Sequence, residues 1–256
     1  MATAPPAALL IGISGVSSSG KTTLSRLLRD ILSPHTQAFI LHEDDFYKTD
    51  AEIPLNAAAG NIADWDCLES IDLPALEAAL SHVKSTGRLP ADLKSKEDRN
   101  EVGNSGVDAR VVAEHKARAA ARGPSSDAHT PVVIVDGFLL LSQEMHRIRS
   151  LFDVKLLLQA DFATAKARRE ARAGYVTLEG FWEDPPGYVD KVVWPNYVKD
   201  HAFLFEDGNV EGELKGKLCG ELGIRACPRE AQSDMTACLR WAYDIVEEAL
   251  REKRPG

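Results

Sequence analysis

Gly15-Val16-Ser17-Ser18-Ser19-Gly20-Lys21-Thr22 is the feature that most narrows what this chain can fold into. It fits G-x-x-x-x-G-K-[ST], in which the glycines turn the backbone tightly and consecutive N–H groups point inward at phosphate oxygens. A helix starting near Lys21 adds its positive dipole end to that cradle. Lys21 then reaches the β- and γ-phosphates of a nucleotide, and the Thr22 hydroxyl takes a magnesium ion. The flanks agree with this reading. The apolar run Ala8-Leu9-Leu10-Ile11-Gly12-Ile13 precedes the loop. Leu24, Leu27, Leu28, Ile31 and Leu32 follow it at i, i+3, i+4, i+7 and i+8, the stripe of a helix packed on a sheet. No charge precedes Lys21, as in a secretion signal. Yet the stretch lacks a basic start, and Gly12, Ser14 and Gly15 break its apolar part, so a short buried strand is expected.

Other apolar runs repeat the theme. Ala38 to Leu41 ends in Glu43-Asp44-Asp45, and Pro131 to Val135 ends in Asp136. Val154 to Leu158 is a fourth run, and Ala202 to Phe205 reads as a fifth short strand. Between them lie a helix capped by Asp72 with Leu73, Leu76, Leu80 and Val83 on one face, and a basic helix from Asp161 to Arg172. A terminal helix aligns Met235, Leu239, Ala242, Ile245, Val246, Ala249 and Leu250. Uninterrupted apolar strands alternating with helices predict an α/β P-loop NTPase three-layer fold. It would have a mostly parallel sheet of about five strands, helices on both faces and a short lid. A length of 256 residues allows one large domain or two small ones, and the pattern favours one domain over 1–256. Residues 91–130 are polar and charge-mixed and read as an exposed, partly disordered insertion with an Ala/Arg helix around Val111 to Arg122. Residues 208–232, with several glycines and two cysteines, read as a surface insertion, and 168–190 as the lid.

Lys+Arg is 30 and Asp+Glu 39, giving 30 − 39 = −9, which argues against nucleic acid as a partner because phosphate neutralisation needs a dense cationic surface. No stretch approaches the roughly 20 apolar residues of a membrane span, so no membrane partner is expected. Cys67, Cys219, Cys227 and Cys238 have no C-x-x-C spacing, which points to a reducing cytoplasm rather than a zinc site or disulfide scaffold. The seven histidines lack metal spacing, and neither G-x-S-x-G nor the guanine-reading N-K-x-D is present. What remains is phosphate chemistry. Asp136 ends a strand where an acidic residue completes the magnesium shell. The Glu43-Asp44-Asp45 cluster lies on the ligand-binding edge of a parallel sheet, where a carboxylate can accept the proton of an attacking hydroxyl. Arg168 and Arg172, one turn apart and opening into a loop, suit a lid closing on the transferred phosphoryl group. Other nucleotide-binding roles, including a switch that signals by lid ordering without turnover, share these features.

The motifs as a set resemble the uridine kinase-like small-molecule kinases and, among them, the nicotinamide riboside kinases. The matching pieces run from Gly12-Ile13-Ser14-Gly15 through His42 to Lys48, Asp64-Trp65-Asp66, Val135 to Leu140, Lys166 to Arg172 and Pro186-Gly187-Tyr188, to Val193-Trp194-Pro195-Asn196-Tyr197. The resemblance implies transfer of the ATP γ-phosphate to the ribose 5′-hydroxyl of nicotinamide riboside, with Mg²⁺, giving nicotinamide mononucleotide. A kinase of uridine or another nucleoside is the alternative, although the Asp-His-Pro element expected of a uridine kinase is missing after Phe46-Tyr47. It implies that Gly15, Val16, Ser17, Ser18, Ser19, Gly20, Lys21, Thr22, Thr23, Arg168 and Arg172 hold ATP, and that Thr22, Asp44 and Asp136 serve the metal. Asp44, with Lys21, would be catalytic, Asp44 acting as the base on the 5′-hydroxyl. Asp44, Asp45, Phe46, Tyr47, Trp65, Asp66, Arg169 and Tyr175 would contact the nucleoside, with Asp66 and Arg169 on the ribose and Trp65 and Tyr175 flanking the base. A cationic pyridinium over an aromatic face gains roughly 0.5–2 kcal/mol, which neutral uridine would not. Three departures stand out: Asp136 where the family often has glutamate, Gly174 lengthening the spacing between Arg172 and Tyr175, and the two insertions at 91–130 and 208–232, which have no family counterpart. The adenine pocket is expected near Asp207 to Glu211, and both a monomer and a homodimer are compatible with the pattern.

Overall fold

The computed structural model describes residues 8–93, 95, 105–121, 130–172, 174–176 and 180–253. β1 (Leu9–Gly15) leads through the glycine-serine loop into α1 (Lys21–Leu32), and β2 (Ala38–His42) follows. A ribbon pairs β3 (Leu55–Asn56) with β4 (Ile62–Ala63) ahead of α2 (Leu73–Thr86). Next come α3 (Ala109–Ala121), β5 (Val132–Gly137), the short α4 (His146–Arg149) and β6 (Val154–Leu158). α5 (Phe162–Glu170) runs toward a second ribbon, β7 (Tyr175–Val176) with β8 (Phe181–Trp182). A π-helical turn, Val189–Val193, opens α6 (Trp194–His201). α7 (Gly216–Leu222), β9 (Ile224–Ala226) and α8 (Met235–Glu252) complete the order.

Five strands form one parallel sheet in the order β2-β5-β1-β6-β9. Every residue of β1 is buried, which explains its unbroken apolar run: successive side chains leave on opposite faces, and both faces are covered. Leu9, Ile11 and Ile13 meet α1, α3 and α8 on one side, while Leu10 joins α2 on the other. Asp72 caps α2 by accepting from the Ala75 N–H, and Asp161 caps α5 by accepting from the Thr164 N–H. The register aligns Ile13 and His42 with Asp136, so the end of β1 and both acidic strand ends share one edge of the sheet.

Two expectations need correction. Ala202–Leu204 is a 3-10 turn continuing from α6, not a strand; its apolar character reflects burial of Leu204 and Phe205 in the core around α6 and α7. The fifth strand is instead β9, inside the segment read as a surface insertion. Three residues between Gly223 (φ 67°) and Cys227 are too few to display a strand period. The second correction concerns 91–130. The Ala/Arg helix exists as α3, but it is docked rather than exposed: Val111 and Ala119 are buried, and His115 stacks on Tyr243 of α8 with ring centroids 4.4 Å apart. Arg118 lies over the same Tyr243 ring at 5.0 Å and pairs with Glu247 at 2.7 Å. Positions 94, 96–104 and 122–129 of that segment, and 173 and 177–179 of the lid, lie outside the described residues.

Tyr243 is fully buried at the α3–α8 contact, so Tyr243→Ala should lower stability by about 3–5 kcal/mol in denaturant titration. Leu55→Ala, at 65% exposure, should change it by less than about 0.5 kcal/mol. A second expectation follows from His201, whose ring is buried against Tyr197 and whose pKa burial pulls down to about 4 from 6.5. Between those values the unfolded chain takes up a proton that the fold refuses, so this residue's contribution is intact above pH 6.5 and is lost as pH falls toward 4. The loss is on the order of 3 kcal/mol. The stability difference between wild type and His201→Gln should therefore shrink on acidification; a difference that is flat with pH would contradict the assignment.

Candidate active site

The phosphate cradle is built by backbone constraint. Gly15 has φ +151°, and a Cβ there would lie 2.1 Å from the Leu158 carbonyl oxygen of β6. Gly20 has φ +97° and caps α1 without any side-chain hydrogen bond, and no acidic residue occupies the first turn. The helix N-terminus thus keeps its N–H groups and positive potential for an anion. The Ser18 and Ser19 hydroxyls are buried with no hydrogen-bond partner, an arrangement that phosphate oxygens would satisfy. Lys21 donates to the Val16 carbonyl at 3.0 Å. Burial pulls its pKa down, while Asp44, Asp136 and Glu43 push it back up.

The acids at the sheet edge divide into two roles. Glu43–Phe46 is a 3-10 turn in which residues three apart share a side: Glu43 and Phe46 turn inward and Asp44 and Asp45 remain partly accessible. Glu43 accepts from the Leu139 N–H at 3.0 Å, and burial raises its pKa to about 7. That contact braces the strand end. Phe46 packs in the core with Leu41, Ile71 and Leu76 and supports the turn from behind. Asp44 lies within the electrostatic reach of Lys21 and Tyr47. Asp136 is held by His42 at 2.5 Å. Burial works to raise the Asp136 carboxyl, but His42, the neighbouring Thr22 hydroxyl and Lys21 outweigh it and keep it below the usual range. Asp136 Oδ2 is buried with no hydrogen-bond partner. A hydroxyl, an ionised carboxylate with a spare oxygen, and Asp44 nearby fit magnesium, which takes few protein ligands and keeps waters and phosphates. Among the described residues no cluster of three or more His, Cys, Asp or Glu could enclose a metal by itself.

Arg169, the buried basic residue of α5, connects these parts. Its guanidinium makes a bidentate pair with Asp66 at 2.9 and 3.0 Å, a second with Asp184 at 2.6 and 3.1 Å, and donates to the Ser17 hydroxyl at 2.9 Å. Burial raises the Asp66 pKa and the Arg169 charge opposes that. Asp64, two residues earlier, accepts from Asn196 of α6 and Asn56, which fixes the loop carrying Trp65 and Asp66. The Trp65 N–H donates to the Tyr188 hydroxyl at 2.9 Å. Around the Trp65 ring stand Tyr47, edge-on at 5.3 Å, and Trp182 of β8 at 5.7 Å. Trp182 donates its indole N–H to Asp184, and the Trp65 indole N–H is buried with no hydrogen-bond partner.

Of the expected nucleoside residues, Asp44, Tyr47, Trp65, Asp66 and Arg169 are therefore brought together beside the phosphate loop, and Asp45 lies next to Asp44 in the 3-10 turn. Tyr175 pairs by its backbone with Trp182, and its side chain lies outside the described residues. Trp182, Tyr188 and Asp184 were not singled out as contacts, although Asp184 to Tyr188 was legible as a lid segment. Arg168 and Arg172 are exposed; Arg168 reaches to 3.5 Å from the Ser18 carbonyl and the Arg172 charge is felt at Lys21. Lys166 is tied to Asp190 at 2.7 Å. A cavity of about 450 Å³ adjoins the outer side of the loop, lined by Ser18, Gly20, Arg168, Gln159 and Gln232. It lies against the β9–α8 connection and not near Asp207 to Glu211, where Glu211 instead accepts from the Phe162 N–H at 2.8 Å.

The family model described as "Phosphoribulokinase / Uridine kinase family" matches residues 10–173. Nicotinamide riboside kinase of Schizosaccharomyces pombe is 41% identical over 244 residues, covering 95% of this chain and 98% of that relative. The protein of that name from Eremothecium gossypii is 41% identical over 206 residues, 80% of this chain and 81% of the relative. That of Saccharomyces cerevisiae is 39% identical over 207 residues, with 80% and 82% covered. The phosphate loop and acidic strand ends lie within the matched family region, and the first relative spans nearly the whole fold. The chain belongs to the phosphoribulokinase/uridine kinase family, within its nicotinamide riboside kinases.

Proposed function

We propose that this protein transfers the γ-phosphate of ATP to the 5′-hydroxyl of nicotinamide riboside, giving nicotinamide mononucleotide and ADP. The observation that carries this reading is the Arg169 bridge: one side chain touches Asp66 in the nucleoside pocket and Ser17 in the phosphate loop. Acceptor and donor sites are thereby held in fixed relation, the requirement for in-line transfer. The ribose hydroxyls engage Asp66 and Arg169, and the cationic pyridinium lies in the aromatic site of Trp65, Tyr47 and Trp182. Asp44 accepts the 5′-hydroxyl proton as the oxygen attacks the γ-phosphorus, and the bond to the ADP oxygen breaks. Lys21 neutralises charge on the β- and γ-phosphates, and Arg168 and Arg172 close from the lid. Thr22, Asp136 and Asp44 would hold Mg²⁺, which when bound screens the phosphate charge. The adenosine end of ATP occupies the cavity beside Gln159 and Gln232. Four cysteines present as free thiols accord with a reducing cytoplasm.

Asp44→Asn should lower kcat by at least about 10²-fold while nucleotide affinity changes little; retained turnover would remove Asp44 from the base role. Trp65→Ala should raise the KM for nicotinamide riboside by about 10-fold or more and leave that for ATP nearly unchanged. An equal loss for both substrates would contradict the aromatic pyridinium site.

A further inference from the structure

Cys227 and Cys238 are not used by the mechanism above. Cys227 directly follows β9 and Cys238 lies in the first turns of α8, ten residues of chain intervening between them. Both are buried in the protein, yet both line the cavity beside the phosphate loop, which also touches Ser18, Gly20 and Arg168. The two thiols are near enough for each to shift the other's acidity, Cys227 upward and Cys238 downward. The pair is held from both ends: the Cys227 N–H donates to the Leu157 carbonyl at 2.9 Å, and the Cys238 N–H to the Asp234 carbonyl at 2.9 Å. Cys67 and Cys219 lie apart from this cavity, so the arrangement is specific to one pair.

From this juxtaposition we propose that Cys227 and Cys238 form a reversible dithiol–disulfide pair, oxidised by hydroperoxides that enter the cavity and protected when nucleotide fills it. The protection rests on the reading of this cavity as the nucleotide site. One thiolate attacks a peroxide oxygen; the O–O bond breaks, leaving a sulfenic acid and a hydroxide that takes up the thiol's proton to become water. The second sulfur attacks the first, the S–O bond breaks, and a second water leaves. Two thiols are thus oxidised to one disulfide while hydrogen peroxide is reduced to two waters. Mutual coupling makes the first proton of the pair easier to remove and the second harder, with Cys238 the more acidic of the two, and the N-terminal turns of α8 favour a thiolate there. The new bond would tie the β9–α8 connection, including Gln232, across the cavity wall. The oxidised protein should therefore bind nucleotide more weakly.

The test treats the full-length protein with hydrogen peroxide and reads intact mass and a non-reducing peptide map, with and without ATP. A loss of about 2 Da is expected, carried by a cross-linked 227–238 peptide and reversed by dithiothreitol. Cys227→Ser and Cys238→Ser should each abolish the cross-link while leaving melting temperature close to wild type. ATP at about ten times its Kd should slow the oxidation about tenfold. Sulfinic or sulfonic acid at either cysteine in place of the cross-link, no reaction, or an equal rate under saturating ATP would each overturn the proposal. Calorimetric titration of the reduced protein with ATP keeps the two readings apart. Absent nucleotide binding there counts against the kinase reading and removes the protection claim, whereas binding without protection counts against the cysteine pair alone.

Discussion

The structure depends on one guanidinium. Arg169 is 6% exposed and makes five hydrogen bonds to Asp66, Asp184 and Ser17, three residues from three separate segments. A planar fork can serve two carboxylates in bidentate fashion and still reach a hydroxyl, which a lysine ammonium cannot do with the same geometry. Because Asp66 is buried, the attraction is strong enough to matter, but so is the desolvation it offsets; removing Arg169 would leave unpaired carboxylates in a low-dielectric site. The Asp64–Asp66 loop, the phosphate loop and the segment carrying Asp184 therefore share a single electrostatic junction. On the proposed reading, a ribose at Asp66 and Arg169 would compete for the same donors and acceptors.

The sheet supplies the second constraint. Parallel pairing in register brings His42 and Ile13 level with Asp136, so the phosphate loop, the base candidate and the candidate metal carboxylate emerge from neighbouring strand ends. The same burial that stabilises the strands forces each polar group at that edge to find a partner. One oxygen of Glu43 and one of Asp136 find partners within the protein, at the Leu139 N–H and at His42. The second oxygen of each carboxylate and the Ser18 and Ser19 hydroxyls do not, and a nucleotide and its metal would complete the network at Ser18, Ser19 and Asp136.

What was legible in the sequence follows from how local each signal is. The Gly15–Thr22 loop is set by backbone conformation over eight residues, and the apolar strand before it and leucine stripe after it are periodic; both were readable directly. The strand-end acids were readable because a run of apolar residues stops at them. β9 was not, since three residues carry no period and its pairing partner β6 lies about 70 positions away. The docking of α3 was missed for a related reason: an Ala/Arg-rich helix has a weak apolar face, and only His115, Arg118 and the distant Tyr243 together give it a place. Trp182 entered the aromatic site through the pairing of a two-residue ribbon, a contact that no linear spacing encodes.

The most direct measurement of the central claim is ADP release by the purified protein in a coupled assay with ATP and Mg²⁺, comparing nicotinamide riboside, uridine and no acceptor. The arrangement of Trp65, Asp66 and Arg169 predicts turnover dependent on nicotinamide riboside, with kcat/KM exceeding that for uridine by about tenfold or more and little release without an acceptor. Faster turnover of uridine, or ADP release that no nucleoside stimulates, would contradict it.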